Sequence, residues 1–521
     1  MPEREKRNPS RCLRDVMVDA ATRNPTAPFL TTVNYRGDEL TATYGEFYSA
    51  SRALARKFHS LGICSMHTCV LHIGNSYEFI LAFWALQLIG STVAPTITQY
   101  SSDELCYVLE HSDAWAVISE PQYADKATSV WPAGTRVYEL TVAADGSAQL
   151  NGEQIQDGSP GAFDDEELGH GQPNECALLL YTSGSTARPK GVRLGQEGSI
   201  KTAECFANHL RLHDDDVVLT CMPLFHVNGL FLQMLPAVVS GCHFVLMPKF
   251  SASNYWGWIA RYRATVAHLV AGPIRILLQQ ETDSGPHHGL RLMTFGLPLD
   301  KGEISDFESR HAVPLLMAWG MTESSGAATL MPLYFGRRPG HQCIGMQMHG
   351  WQVIVASDGG LPLAPGEIGE MCIKGPGTML GYLKDDTAMD AVAFAGGWLH
   401  TGDLGYVDED GYYHFVERMK DMLKPSGENV AASEVESILL LHAGVKDCAV
   451  IGLPDSLRYE KVVAYVVASA EPPSGSTLRE HCAKHLASFK VPSDVIFVPD
   501  LPRSSIGKIL KGQLRERAAD R

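Results

Sequence analysis

A chain of 521 residues runs well past the roughly 250–300 at which a single hydrophobic core stops growing, so at least two domains are expected. With 45% hydrophobic and 20% charged residues it has the make-up of a globular protein, which excludes a mainly disordered chain. A formal charge of −16 repels nucleic-acid phosphates and anionic lipid, so neither nucleic acid nor a membrane surface is expected as a partner. A phosphate ligand is admissible only where a pocket supplies its own donors or a metal ion.

The opening MPEREKRNPS lacks an apolar signal region, and the longest apolar run, Phe79 to Leu86, is too short to span a bilayer, so a cytoplasmic location is expected. Hydrophobic periodicity predicts a helix over 43–62, a strand over 68–74, a helix over 76–90 and a strand over 91–95. The same alternation returns at 217–222, 241–247 and 264–270, with helical stretches between them. This is α/β punctuation and predicts layered sheets flanked by helices. No repeat of about 20–50 residues is present, which excludes a solenoid. From 141 to 175 the chain is polar, acidic and glycine-rich and reads as a surface connection. The pattern restarts near residue 421. A helix opening with a capping box at Ser433 and Glu436, strands over 447–453 and 461–469, and a helix over 476–489 predict a small α+β domain. Twelve singly spaced cysteines, with no C-x-x-C and no Cys/His cluster at zinc spacing, are expected to be reduced and mostly buried.

After the apolar run that ends at Tyr181, TSGSTARPKG (182–191) places four hydroxyls, on Thr182, Ser183, Ser185 and Thr186, beside the flexible Gly184 and Gly191 and the cationic Lys190. Such a loop converges donors on an anion. The spacing is not that of a Walker P-loop, because Lys190 follows a proline and precedes a glycine. A Ser/Gly linker is the plainer reading, and Pro-Lys-Gly directly after a buried strand argues against it.

Four more stretches follow in order: AWGMTESSG (318–326), GGWLHTGDLGYVDEDGYY (396–413), FVERMKDMLKPSGENVAASEVE (415–436) and LPRSSIGKILKGQL (501–514). Together with 182–191 they resemble the core motifs of the AMP-forming adenylating enzymes, the superfamily of acyl- and aryl-CoA synthetases, peptide-synthetase adenylation domains and beetle luciferases. The resemblance runs from about Thr43 to Lys511 and is strongest to the acyl-CoA ligase branch that includes crotonobetaine/carnitine and medium-chain or aryl ligases. It implies an α/β fold with a large, multi-layered N-terminal domain (1–419) that binds ATP and the acyl group. A small mobile α+β C-terminal domain (420–521) would carry the catalytic lysine.

The reaction it implies joins a carboxylate to the α-phosphate of ATP, expels pyrophosphate, and passes the acyl group to the thiol of coenzyme A. Two anions must meet, so Mg²⁺ and aimed donors are needed and no covalent protein nucleophile is. By resemblance, Thr182, Ser183, Gly184, Ser185, Thr186 and Lys190 cradle the β- and γ-phosphates, with Ala187 standing where a glycine is common. Thr322 and Glu323 follow Trp319 and Gly320, and Glu323 holds Mg²⁺ as a hard oxygen ligand. Trp319 replaces the usual tyrosine and offers a flat face to adenine, and Gly296 approaches the same ring. Asp403 accepts from both ribose hydroxyls, joined by Arg418. Lys508 bridges the substrate carboxylate and the α-phosphate, with Lys511 as its competitor. Lys420 falls at the hinge, and Gly427 lines the passage for the pantetheine arm.

His226, Val227, Asn228, Phe295, Ser324 and Gly326 are expected around the acyl pocket, with His226 a gate and not a base, since a carboxylate nucleophile needs none. Small residues at 324–326 leave room for a bulky or branched acid. The chain ends 13 residues after Lys508, so no carrier domain is expected. Two alternatives stay open here: an acyl-AMP ligase that loads a separate carrier protein, and a non-catalytic nucleotide-binding scaffold. Small-molecule carboxylic acid, ATP and CoA are the expected partners, and the oligomeric state is open, with a homodimer as one option.

Overall fold

The computed structural model describes residues 11–34, 36–131, 136–155, 171–182, 189–280, 289–297, 299, 301–333, 342–384, 391–423, 425, 430–455, 459–469, 471–503, 507 and 509–519. The chain divides into two compact units, the first made of Met1–Gly340, Ile344–Val353 and Ile373–Leu399, the second of His341–Cys343, Ile354–Cys372 and His400–Arg521.

In the first unit, one sheet is ordered Gly381–Tyr382, Lys190–Gly195, Cys176–Thr182, Thr92–Pro95, Thr68–His72, Ala114–Ser119, Val137–Val142, Ala148–Leu150 and Glu153–Gln154. Its middle is parallel, from Cys176–Thr182 to Val137–Val142, and both edges are antiparallel. A second run of strands places Gly326–Leu330 beside Leu315–Met321, then Leu292–Gly296, Val266–Val270, Val217–Thr220, His243–Leu246, Pro28–Val33 and Glu39–Thr43. Five successive pairings in this run, from Leu315–Met321 to Pro28–Val33, are parallel. Parallel strands must be connected by crossovers, which is why helices alternate with them along the sequence.

Helix Tyr77–Ile89 shows how directly composition sets position. Ser76 caps it by accepting from Phe79 N at 3.3 Å, and Gly90 ends it in the left-handed region at φ 83°. Its YEFILAFWALQLI sequence is apolar on every side, and every residue except Glu78 is buried, so it lies inside the unit and not on its surface. Helix Tyr44–Ser60 is amphipathic and opens with a true capping box, Thr43 accepting from Glu46 N while Glu46 accepts from Thr43 N.

In the second unit, Val445–Asp455 and Tyr459–Ala468 form an antiparallel hairpin, and Asp494–Phe497 joins parallel to the latter after helix Gly475–His485. Alternation along the strands divides two cores. Cys448, Val450, Val462, Ala464 and Val466 meet Val435, Leu439, Leu478 and Cys482 on one face. Ala449, Ile451, Val463 and Tyr465 meet Leu501 and Leu514 on the other.

Three expectations need correction. The 141–175 connection contains the short antiparallel strands Ala148–Leu150 and Glu153–Gln154, which extend the edge of the first sheet; residues 156–170 lie outside the described residues. The proposed capping box at Ser433 and Glu436 does not form: the N-cap is Ala431, Ser433 lies inside the first turn, and its N–H donates to Glu417 at 2.8 Å. Glu436 is drawn away by Val450 N (2.7 Å) and Lys511 (2.9 Å). All twelve cysteines are free, but six are buried and six half-buried.

Candidate functional site

The strand that carries the apolar run Leu178–Tyr181 pairs with Lys190–Gly195, with Thr182 directly opposite Lys190. The hydroxyl-rich loop therefore springs from adjacent strand ends, which are held by the apolar interior behind them. Ser183, Gly184, Ser185 and Thr186 lie outside the described residues. The ammonium of Lys190 sits 4.9 Å from the ring centroid of Tyr382. The Tyr382 hydroxyl donates to Glu323 Oε1 at 2.9 Å. One phenol thus joins the cation at the foot of the loop to the expected metal-holding carboxylate, which is only 7% exposed. Tyr382 was not among the residues expected from sequence. Its contacts reach across 59 residues to Glu323 and across the sheet to Lys190, where no local pattern signals them.

Glu323 lies in the single 3₁₀ turn Thr322–Ser324 that follows strand Leu315–Met321, so Trp319 and Gly320 at the strand end and Thr322 and Glu323 in the turn fall within five successive residues. Gly320 has no alternative residue, because a Cβ there would meet Gly326 O at 1.8 Å. Trp319 is 7% exposed. Ser324 is buried, and its hydroxyl closes the turn through Met321 N, Met321 O and Gly326 O (2.7–2.9 Å), while Ser325 donates to Gly377 O at 2.8 Å. Ser325 holds a positive φ of 52°.

Two parts of the expected acyl pocket lie close together, the segment that follows His226 and the strand ends at Gly296 and Gly326. His226 precedes the short helix Val227–Gly229, which runs into a π-helical turn at Leu230–Met234. A Cβ on Gly326 would lie 3.0 Å from Leu232 of that turn, and a Cβ on Gly296 would lie 4.0 Å from Asn228 Nδ2. Phe295 is buried between Leu269 and Met317 on the neighbouring strands, and the next residue but one, Leu297, adopts φ 68°. A π-turn and left-handed non-glycine residues are uncommon, and such features gather at functional sites. Burial lowers the pKa of His226 to about 4, so the ring is neutral at pH 7, and its Nε2 has no hydrogen-bond partner among the described residues.

In the second unit, Asp403 and Arg418 face each other across the antiparallel pair Leu399–Val407 and Tyr413–Arg418, with Arg418 Nε 2.5 Å from Asp403 Oδ1. Asp403 is 3% exposed. Its backbone is held from behind: Thr401 donates to Met371 O (2.6 Å) and accepts from Asp403 N (3.1 Å). Gly402, at φ 68°, donates to Glu370 Oε1 (2.9 Å), and Glu370 Oε2 lies 2.7 Å from His400 Nδ1. Glu370 and His400 also escaped the sequence reading. Lys511 is paired with Glu436 in a buried site; burial alone would lower its pKa, but Glu436 and Glu417 outweigh that and raise it. A lysine so engaged is committed to the fold, which leaves Lys508 as the candidate; Lys508 and Gly427 lie outside the described residues. Lys420 falls within the one-turn 3₁₀ helix Met419–Asp421.

The profile of the AMP-binding enzyme family matches residues 17–383, and that of the AMP-binding enzyme C-terminal domain matches 434–508. The chain belongs to the AMP-binding enzyme family. Among similar members is crotonobetaine/carnitine–CoA ligase, 33% identical over 493 residues in Salmonella paratyphi A and 34% over 496 in Escherichia coli O8, each alignment covering 91% of this chain and 93% of the relative. Of solved structures, ATP-bound MatB from Rhodopseudomonas palustris superposes with a TM-score of 0.86 at 26% identity, covering 97% of this chain and 99% of that one. The o-succinylbenzoate CoA synthetase MenE of Bacillus subtilis, in complex with its acyl-adenylate intermediate, superposes with a TM-score of 0.81 at 26% identity, covering 96% and 97%. This AMP-binding enzyme is a carboxylic acid–CoA ligase that activates its acid with ATP through an acyl-adenylate. No helix among its described residues is long and apolar enough to cross a membrane.

Proposed function

We propose that the Lys190–Tyr382–Glu323 constellation is the phosphate end of the ATP site, and that adenylation takes place beside it. The observation that carries this reading is the placing of a cation and a carboxylate on one phenol, beside the strand ends at Thr182 and Lys190 that flank the hydroxyl-rich segment. Thr182, Ser183, Gly184, Ser185, Thr186 and Lys190 then surround the β- and γ-phosphates. Glu323 suits Mg²⁺: it is a nearly buried carboxylate, with one oxygen fixed by Tyr382. Magnesium accompanies ATP in one MenE complex, and the ion, when bound, supplies charge neutralisation for the phosphates.

Trp319, Gly320 and Gly296 take the adenine, and Asp403 with Arg418 takes the ribose. Lys508 brings its charge to the substrate carboxylate and the α-phosphate, where negative charge accumulates as pyrophosphate leaves. The neutral His226, with Val227, Asn228 and Phe295, borders the acid, while Ser324 and Gly326 keep the turn beside it compact. Residues 420–521 move about Lys420 after adenylation, and Gly427 admits the thiol arm. The relatives' names point to a small, polar aliphatic acid of the carnitine kind as the first to test. We place the protein in the cytoplasm, where twelve free thiols persist.

The test is Lys508→Ala. Adenylate formation should fall severely with ATP binding retained, while chemically prepared acyl-adenylate is still converted to thioester. Equal loss of both half-reactions would remove Lys508 from the adenylation step.

A further inference from the structure

Glu370 and His400, which buttress the backbone before Asp403, have a third companion. Cys372 lies two residues after Glu370 on strand Gly369–Lys374, so the two side chains emerge on the same face. His400 comes from the adjacent strand. A Glu370 carboxylate oxygen, Cys372 Sγ and a His400 ring nitrogen all lie within 4.8 Å of one another. His400 Nδ1 is 2.7 Å from Glu370 Oε2 and 3.5 Å from Cys372 Sγ. Cys372 is buried, whereas the side chains of Glu370 and His400 keep 18% and 25% exposure, so the cluster is closed on one side and reachable by water on the other.

We propose that Glu370, Cys372 and His400 bind a divalent cation of the zinc type, through a carboxylate oxygen, the thiolate and Nδ1, with water as fourth ligand. The donor set selects the ion: sulfur and imidazole nitrogen favour Zn²⁺ and its neighbours, whereas Mg²⁺ and Ca²⁺ take oxygen alone. Bonds of about 2.0–2.3 Å to each donor require tetrahedral edges of about 3.3–3.6 Å. The Cys372–His400 edge already has that length, and the Glu370–His400 edge opens by about half an ångström as the cation replaces the hydrogen bond between them. The proton on Nδ1 reappears on Nε2, the thiol proton passes to solvent, and one proton is released per cation bound. Three protein ligands with an open position make an exchangeable site and not a fold-forming one.

The cation also pulls on the reaction. Glu370 Oε1 accepts from Gly402 N, one residue before Asp403, so moving the carboxylate moves the turn that aims Asp403. Occupancy therefore raises the KM for ATP. This consequence rests on the ribose assignment of Asp403, and the binding itself does not.

The full chain, stripped with a chelator, is titrated with Co²⁺ as a spectroscopic probe and then with Zn²⁺ in competition. One equivalent of Co²⁺ with a thiolate-to-metal charge-transfer band, displaced by Zn²⁺, is expected. Cys372→Ser should abolish the band and weaken Zn²⁺ binding by at least about 100-fold, with acyl-CoA synthesis in metal-buffered, zinc-free medium unchanged. If the serine variant does not fold, His400→Gln, checked for folding by circular dichroism, should likewise lose the band and the Zn²⁺ affinity. Absence of the band in the parent protein, or its persistence in both variants, overturns the site. In the second arm, buffered Zn²⁺ should raise the KM for ATP in the parent and not in Cys372→Ser. Stoichiometric Zn²⁺ with an unchanged KM overturns the coupling, and Asp403→Ala, described below, tests the ribose assignment separately.

Discussion

Tyr382→Phe probes the hydroxyl at the proposed phosphate end of the site. The ring that faces the Lys190 ammonium at 4.9 Å is kept, and only the hydroxyl that donates to Glu323 Oε1 at 2.9 Å is removed. A hydrogen bond to a charged group contributes roughly 1.5–3 kcal/mol. Glu323, at 7% exposure, has little water to replace the lost donor, but Tyr382 is itself half-buried, so partial rehydration puts the cost near the lower end. That is about a tenfold fall in kcat/KM for ATP in the adenylation half-reaction. Tyr382→Leu also removes the ring, and a cation–π contact of about 0.5–1 kcal/mol adds a further factor of roughly two to five. The assay is acid-dependent ATP–pyrophosphate exchange at several Mg²⁺ concentrations, in which the phenylalanine variant should need more Mg²⁺ for half-maximal rate. Exchange within twofold of the parent for both variants, at every Mg²⁺ concentration, would refute the claim that Tyr382 organises this end of the site.

Asp403→Ala should raise the KM for ATP by about 10- to 150-fold, the range set by losing hydrogen bonds to a carboxylate, while the KM for the acid stays within about twofold; steady-state kinetics with each substrate varied in turn checks it. Gly427→Leu should abolish thioester formation with pyrophosphate exchange retained, because a side chain there obstructs the thiol arm; both activities are measured on one preparation whose thermal unfolding matches the parent. His226 makes a pH-dependent contribution. Its folded pKa of about 4 lies below the ordinary 6.5, so the unfolded chain takes up its proton first and stability is lost as pH falls from about 6.5 to about 4. His226→Phe should therefore lose about 2–3 kcal/mol less than the parent between pH 7 and pH 4.5 in urea unfolding, and an equal loss would show that the ring is not held neutral by burial.

Local patterns were legible where their partners are local. The helix at Tyr44–Ser60 was readable because its apolar face repeats along one segment, and the Thr43–Glu46 box that opens it in the structure closes within four residues. An identical Ser-x-x-Glu spacing at 433–436 misled because Glu436 meets Val450 and Lys511, and the first-turn N–H of Ser433 is taken by Glu417 of strand Tyr413–Arg418. Long-range partners overrode a correct local rule. The hydroxyl loop, the Trp319–Glu323 segment and Asp403 stood out because their chemistry is concentrated in short stretches. Tyr382, Glu370 and His400 did not, since each matters through a residue about 30 or more positions away that only the sheet brings near. The strands at Ala148–Leu150 and Glu153–Gln154 are too short to show alternation, and pairing at a sheet edge is what makes them strands.

The central claim, adenylation followed by transfer to free CoA, is tested most directly on the purified full chain with a panel of carboxylic acids and ATP, first without CoA and then with it. The account predicts acid-dependent pyrophosphate exchange before CoA is added, then acyl-CoA, AMP and pyrophosphate in equal amounts after it. ADP and phosphate as products, or thioester formation on a carrier protein with none on free CoA, would contradict it.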